Sequence, residues 1–215
     1  FAVATGRTVD SAFQVLKEHK VKLPLVIISS VGSEIYYNYQ GELIYSKGWH
    51  AHIKHQWYKE KILELMKQFD FLELQGKDSQ RDFKISYYTY EDPDNLEKVK
   101  EVLIKNKIKA NVIFSHGQFL DILPYRASKG KAIRYLSYRW NISYENILVA
   151  GDSGNDEEML KGELLGVVVG NYSHELDSLR GSKRVHFAKR NYAGGIIDGI
   201  NYYKFLSNGK ENISE

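Results

Sequence analysis

The sequence predicts an α/β protein, a doubly wound parallel sheet core interrupted by an inserted α+β block, and three observations carry that expectation. After Pro124, short apolar runs alternate strictly with segments of helical period, the arrangement that builds parallel βα units. Between about Ser46 and Pro124, helical periods mix with alternating strands and a hairpin, which reads as an α+β layer. The chain opens on Phe1-Ala2-Val3-Ala4 followed by Thr5-Gly6-Arg7, an apolar run entering a tight loop.

The elements follow in order. Residues 1–4 form a strand, and Asp10 or Ser11 caps a helix in which Ala12, Val15 and Leu16 recur at helical spacing. Residues 25–30 form a second apolar strand, broken at Gly32-Ser33, and 34–37 with 42–45 flank Gln40-Gly41 as a hairpin. From 53 to 69 the period is helical, with Ile62, Leu65, Met66 and Phe69 on one face. A strand at 83–90, a helix at 95–105 and a hairpin of 110–115 with 118–123, turning at His116-Gly117, complete the inserted block. Then come a helix at 128–140, a strand at 147–150, a helix at 155–160, a strand at 165–169, a short helix at 175–179 and a last helix at 195–203. The layout assigns 1–45 and 125–215 to a Rossmann-like core and 46–124 to the insertion, and reads 207–215 as a polar, frayed tail.

Composition narrows the function classes. The 215 residues are 43% hydrophobic and 27% charged, ordinary for a globular protein, and no apolar run approaches the roughly 20 residues of a membrane span. Lys and Arg are scattered among Asp and Glu, with a net charge of +3, so no basic face for nucleic acid is expected. The absence of cysteine removes disulfides and thiolate chemistry and fits a cytoplasmic location.

Three segments carry chemistry. In Gly151-Asp152-Ser153-Gly154-Asn155-Asp156 an apolar strand delivers two carboxylates to its C-terminal end, where open parallel sheets bind ligands. Such hard oxygen donors suit Mg²⁺, although the same residues also serve a plain turn and helix cap. Thr5-Gly6-Arg7 offers a hydroxyl, free amides and a cation for a phosphate, or simply a turn. Lys129 stands at a helix start, where free amides favour an anion; an exposed lysine is its bland alternative. His50, His52 and His55 match no standard zinc spacing.

Strand-end Thr5, helix-start Lys129 and the Gly-Asp-Ser-Gly-Asn-Asp loop, in that order, resemble the second, third and fourth motifs of the haloacid dehalogenase superfamily. The block between the second and third motifs matches that superfamily's type-C2 cap in position. Within it, Ala4-Thr5-Gly6-Arg7, Val31-Gly32-Ser33-Glu34-Ile35-Tyr36, Phe83-Lys84-Ile85-Ser86-Tyr87 and the stretch from Asp121 to Pro124 resemble the sucrose-6-phosphate phosphatase family and the related C-terminal domain of sucrose-phosphate synthases. The resemblance implies an Mg²⁺-dependent phosphatase acting on a small-molecule sugar phosphate through an aspartyl phosphate. It assigns Thr5, Lys129 and Asn155 to catalysis, Asp152 and Asp156 to the metal, and Gly6, Arg7, Glu34, Lys84 and Asp121 to substrate. Arg7, Glu34, Lys84 and Asp121 also have plain readings as surface or turn residues. The family's first motif, Asp-x-Asp-x-Thr, which supplies nucleophile and acid/base, occurs nowhere in the sequence. The expectation is an N-terminal catalytic strand upstream of Phe1, about one βαβ-sized stretch of roughly 30 residues. On that reading the chain as given is inactive alone. The alternative is a non-catalytic sugar-phosphate-binding module, fused to or associated with a synthase glycosyltransferase domain.

Overall fold

A computed structural model describes residues 1–90 and 92–206, so the expected tail at 207–215 lies outside the described residues. The chain divides into two compact units, Phe1–Ala132 and Ile133–Glu215.

In the first unit, β1 (Ala2–Ala4) leads through α1 (Val9–Glu18) to β2 (Val26–Ser29), and β1 and β2 pair in parallel with Val3 opposite Ile27. Thr8, rather than Asp10 or Ser11, caps α1: its hydroxyl accepts from the Ser11 amide at 3.4 Å. The capping oxygen must precede the amides it satisfies, and Thr8 sits one turn ahead of Ser11. Val26, Ile27 and Ile28 of β2 are all buried, as an inner strand of continuous apolar sequence should be. β3 (Glu34–Tyr39) and β4 (Glu42–Tyr45) extend the sheet antiparallel in the order β1-β2-β3-β4. Gln40 and Gly41 both take left-handed backbone (φ 53° and 93°), which is what a two-residue hairpin turn of matching twist demands.

The helical stretch expected at 53–69 narrows to α3 (Lys59–Met66), and a helix that was not expected, α2 (Lys47–Ile53), precedes it. Ser46 caps α2 by accepting from the Trp49 amide at 3.3 Å. Gln56 adopts φ 58° between the helices, and the Trp57 indole N–H donates to the Asp82 carbonyl at 2.8 Å. That tertiary hydrogen bond competes with helix continuation in a stretch without glycine or proline to mark the break. β5 (Glu73–Leu74), β6 (Ile85–Tyr88), β7 (Ala110–Ser115) and β8 (Phe119–Pro124) form a second sheet in the order β5-β6-β8-β7. With α4 (Pro93–Lys105) and α3 it encloses a core of Ile62, Met66, Ile85, Val99, Leu103 and Ile122. The two residues of β5, both exposed, were not expected, since so short a strand has no pattern to read.

α5 (Lys129–Trp140) starts in the first unit. In the second unit β9 (Leu148–Gly151), β10 (Leu165–Val168) and β11 (Val185–Phe187) form a wholly parallel sheet in the order β11-β10-β9. The helix expected at 155–160 is a tight 3₁₀ turn, Gly154–Asp156, followed by the single turn α6 (Glu157–Leu160). α7 (Tyr192–Tyr202) packs on β10 and begins three residues before the expected start. Among the described residues β1 is an outer strand of its sheet and β9 an outer strand of the other.

Candidate active site

In the first unit the loop after β1 is stitched to the turn after β2. The Thr5 amide donates to Ile28 O (2.8 Å), its carbonyl accepts from the Val31 amide (3.0 Å), and the Ser30 amide donates to Arg7 O (2.7 Å). The Thr5 hydroxyl accepts from the Arg7 amide at 3.2 Å, which folds the loop over Gly6. Arg7 itself is exposed, its guanidinium donating to Ser11 Oγ at 3.3 Å. Three successive residues of the β2 turn are left-handed: Ser30 (φ 52°), Val31 (φ 59°) and Gly32 (φ 93°). For a β-branched valine this backbone is strained by roughly 1–3 kcal/mol, so its neighbours must hold it.

Gly32 joins this turn to the start of α5. A Cβ there would lie 2.1 Å from the Ser128 carbonyl carbon and 2.4 Å from the Lys129 amide, a backbone-to-backbone approach only glycine permits. Trp49, wholly buried, donates its indole N–H to Gly32 O at 3.1 Å. Lys129, the first residue of α5, is 4% exposed, and Ser128 Oγ accepts from the Lys131 amide at 3.0 Å. Thr5 and Lys129 are therefore both tied to one turn, Thr5 through Val31 and Lys129 through Gly32. A buried lysine at a helix start, with a hydroxyl-bearing loop held by the same turn, has the chemistry to grip a phosphate.

Glu34 opens β3 and is not a hairpin surface charge. Its Oε2 accepts from both Ser29 Oγ and Ser30 Oγ at 3.0 Å, and its Oε1 lies 3.6 Å from Arg81 Nε. Tyr36 and Tyr45 lie near that carboxylate; burial first, and then its charge, pushes both phenols up to about 12, so they remain neutral hydroxyls at physiological pH. Lys84 and Asp121 are both buried and pair across β6 and β8 at 3.5 Å, and Ser86 Oγ donates to Asp121 Oδ1 at 2.5 Å. Neither is the solvated strand or turn residue that their bland readings offered. His50 approaches the Tyr45 hydroxyl (3.2 Å) and meets the Phe83 ring edge-on, while His52 stacks on Trp49.

Asp152, Asn155 and Asp156 belong to the second unit, in the loop leaving β9. Asp156 Oδ2 accepts from the Asp152 amide (2.9 Å) and the Ser153 amide (3.2 Å), and Ser153 completes a capping box. Asp156 is 3% exposed, so its carboxylate fixes the loop backbone from inside. Gly151 makes room for it: a Cβ there would lie 2.4 Å from Asp156 Cβ. The Gly154 amide donates to Glu175 Oε2 at 2.6 Å, and the Ser173 amide to the Asp152 carbonyl at 2.7 Å. The loop thus presents a half-buried Asp152 carboxylate on a pinned backbone. The oxygen donors fit Mg²⁺ in chemistry, but no group of three or more acidic or histidine side chains gathers with metal-site geometry among the described residues, so a complete site requires further donors.

Sequence reasoning missed Ser29, Ser30, Arg81 and Glu175. The serines lie at the end of β2 and just past it, where Gly32 was read as a breaker and not as a contact; Arg81 and Glu175 reach across tens of residues and leave no local pattern.

The family model described as sucrose-6F-phosphate phosphohydrolase matches residues 1–204. The chain belongs to this family. Probable sucrose-phosphatase 2 of Arabidopsis thaliana is 32% identical over 217 aligned residues, which cover 95% of this chain and 51% of that protein. The chain therefore spans about half the length of the plant sucrose-phosphatases it matches. Mannosylfructose-phosphate phosphatase of Agrobacterium fabrum is 28% identical over 202 residues, 93% of this chain and 81% of that protein. The crystal structure of the sucrose-phosphatase from Synechocystis sp. PCC6803, solved in complex with sucrose and phosphate, superposes with a TM-score of 0.89 at 32% identity, covering 95% of this chain and 84% of that one. The family match establishes a haloacid dehalogenase-type α/β fold with a cap, as the motifs led one to expect.

Proposed function

We propose that the complete protein is an Mg²⁺-dependent phosphatase that hydrolyses sucrose-6-phosphate to sucrose and phosphate. The observation that carries this reading is the joining of the Thr5–Arg7 loop to buried Lys129 through Gly32, a ready cradle for a phosphate in a chain of the sucrose-6F-phosphate phosphohydrolase family. Residues 1–45 and 125–215 serve as the catalytic core and 46–124 as the C2-type cap that covers the sugar. No helix among the described residues is long and apolar enough to cross a membrane, which is compatible with the cytoplasmic location proposed here.

In this reading an upstream aspartate attacks phosphorus, the sugar oxygen leaves with a proton from a second aspartate, and water then cleaves the aspartyl phosphate. Thr5 Oγ1, the Gly6 amide and the Lys129 ammonium hold the phosphate oxygens, and Asn155 orients them. Asp152 would hold Mg²⁺, and Asp156, whose Oδ2 is engaged by two amides, would serve the site by fixing the Asp152 backbone. The bound ion would neutralise charge between carboxylate and phosphate. Arg7, Lys84 and Asp121 would serve the sugar hydroxyls.

Phosphate release from a panel of sugar phosphates by the complete protein tests the reading. Preference for sucrose-6-phosphate supports it, preference for mannosylfructose-phosphate moves the substrate, and no release from any ester in the presence of Mg²⁺ overturns it. A second reading, a non-catalytic binding module associated with a sucrose-phosphate synthase, rests on the absence of Asp-x-Asp-x-Thr from the sequence. It requires sugar-phosphate binding by the complete protein without turnover.

A further inference from the structure

Glu34 entered as a candidate sugar ligand, yet both of its carboxylate oxygens are already engaged and its side chain is 13% exposed. What those oxygens hold is the left-handed turn itself. Ser29 and Ser30, both fully buried, converge on Oε2, and Ser33 Oγ closes the turn onto Ser30 O at 2.9 Å. From this turn the Val31 amide holds Thr5, the Ser30 amide holds Arg7, and Gly32 abuts Lys129. On its other side, Glu34 faces Arg81, which follows the 3₁₀ turn Lys77–Ser79 and bridges to Lys84, all within the inserted segment.

We propose that Glu34 is a positioning residue: it clamps the strained 29–33 turn that carries both halves of the phosphate cradle, and through Arg81 it ties that clamp to the inserted segment that bears Lys84. A strained backbone relaxes unless its surroundings over-determine it, and a carboxylate accepting two buried hydroxyls holds this turn from within. Thr5 and Lys129 therefore keep their places on this turn only while the Glu34 side chain holds it. The identity of the anion in the cradle rests on the phosphatase reading; the clamp does not.

The test compares Glu34→Gln with the Ser29→Ala/Ser30→Ala double variant in the complete protein. Hydrogen bonds to charged groups are strong enough that either change should raise the inhibition constant of inorganic phosphate by about tenfold or more. Both should also speed exchange of the Val31 and Lys129 amides, without selectively raising KM for sugar phosphates over simple phosphate monoesters. A variant that raises KM only for the sugar ester, with phosphate inhibition and amide exchange unchanged, makes Glu34 a sugar ligand and overturns the clamp. Should Glu34→Gln fail to fold, Ser30→Ala alone carries the same comparison. Wild-type protein that neither cleaves esters nor is inhibited by phosphate sinks the phosphatase reading, while the exchange measurement still decides the clamp.

Discussion

Asp152 and Gly32 make opposite demands on their positions, one for a charge and one for the absence of a side chain. Asp152→Asn removes the charge from the proposed Mg²⁺ site while keeping the size of the side chain and leaving its amide bond to Asp156 Oδ2 in place. The expected result is a loss of Mg²⁺ affinity and turnover on the order of tenfold or more with little change in melting temperature. Titration of Mg²⁺ against activity reads it, and unchanged kinetics would remove Asp152 from the site. Gly32→Ala should instead fail structurally. Left-handed backbone alone costs an alanine roughly 1–2 kcal/mol, and its Cβ would meet the Ser128 carbonyl carbon at 2.1 Å, in backbone that has no rotamer to yield. Its melting temperature should fall and its phosphate affinity with it; a variant with wild-type melting and binding would mean that the turn and α5 do not touch. At this scale the sequence was partly legible. The Gly-Asp-Ser-Gly-Asn-Asp loop announced its carboxylates, but nothing local distinguished Asp152, which presents its carboxylate, from Asp156, which turns inward onto amides.

At the scale of elements, legibility followed the strength of periodicity. β2, the 34–45 hairpin and the β7–β8 hairpin lie within a residue or two of their expected bounds because alternation and left-handed turn residues specify them locally. β11 went unread because its three half-buried residues show no alternation, and the α2–α3 break because Trp57 finds its partner 25 residues away. The cap of α1 offers a clean test of local chemistry. Thr8 satisfies the Ser11 amide, so Thr8→Ala should lower unfolding free energy by about 1 kcal/mol. Asp10→Ala, which removes the expected cap, should cost less, since it loses only the acidic side chain in the first turn. Denaturant unfolding of the two variants separates them, and an equal or larger loss for Asp10→Ala would restore the cap to that position.

For the whole molecule, binding a phosphate and breaking its ester make different demands on the chain. On the proposed reading Thr5 and Lys129 bind phosphate oxygens and Asp152 serves the metal, while Asp156 is engaged by amides, so no carboxylate of these motifs is left to act as the nucleophile. The 215-residue chain by itself should therefore release no phosphate from sucrose-6-phosphate, even with saturating Mg²⁺. A complete protein that carries an Asp-x-Asp-x-Thr strand should turn the ester over. Supplying the upstream segment in trans gives the sharpest comparison, since hydrolysis should then depend on its first aspartate and disappear with Asp→Asn there. Release of phosphate by the 215-residue chain alone would mean that a carboxylate already within it attacks phosphorus, and the phosphoaspartyl route through an upstream strand would have to be abandoned.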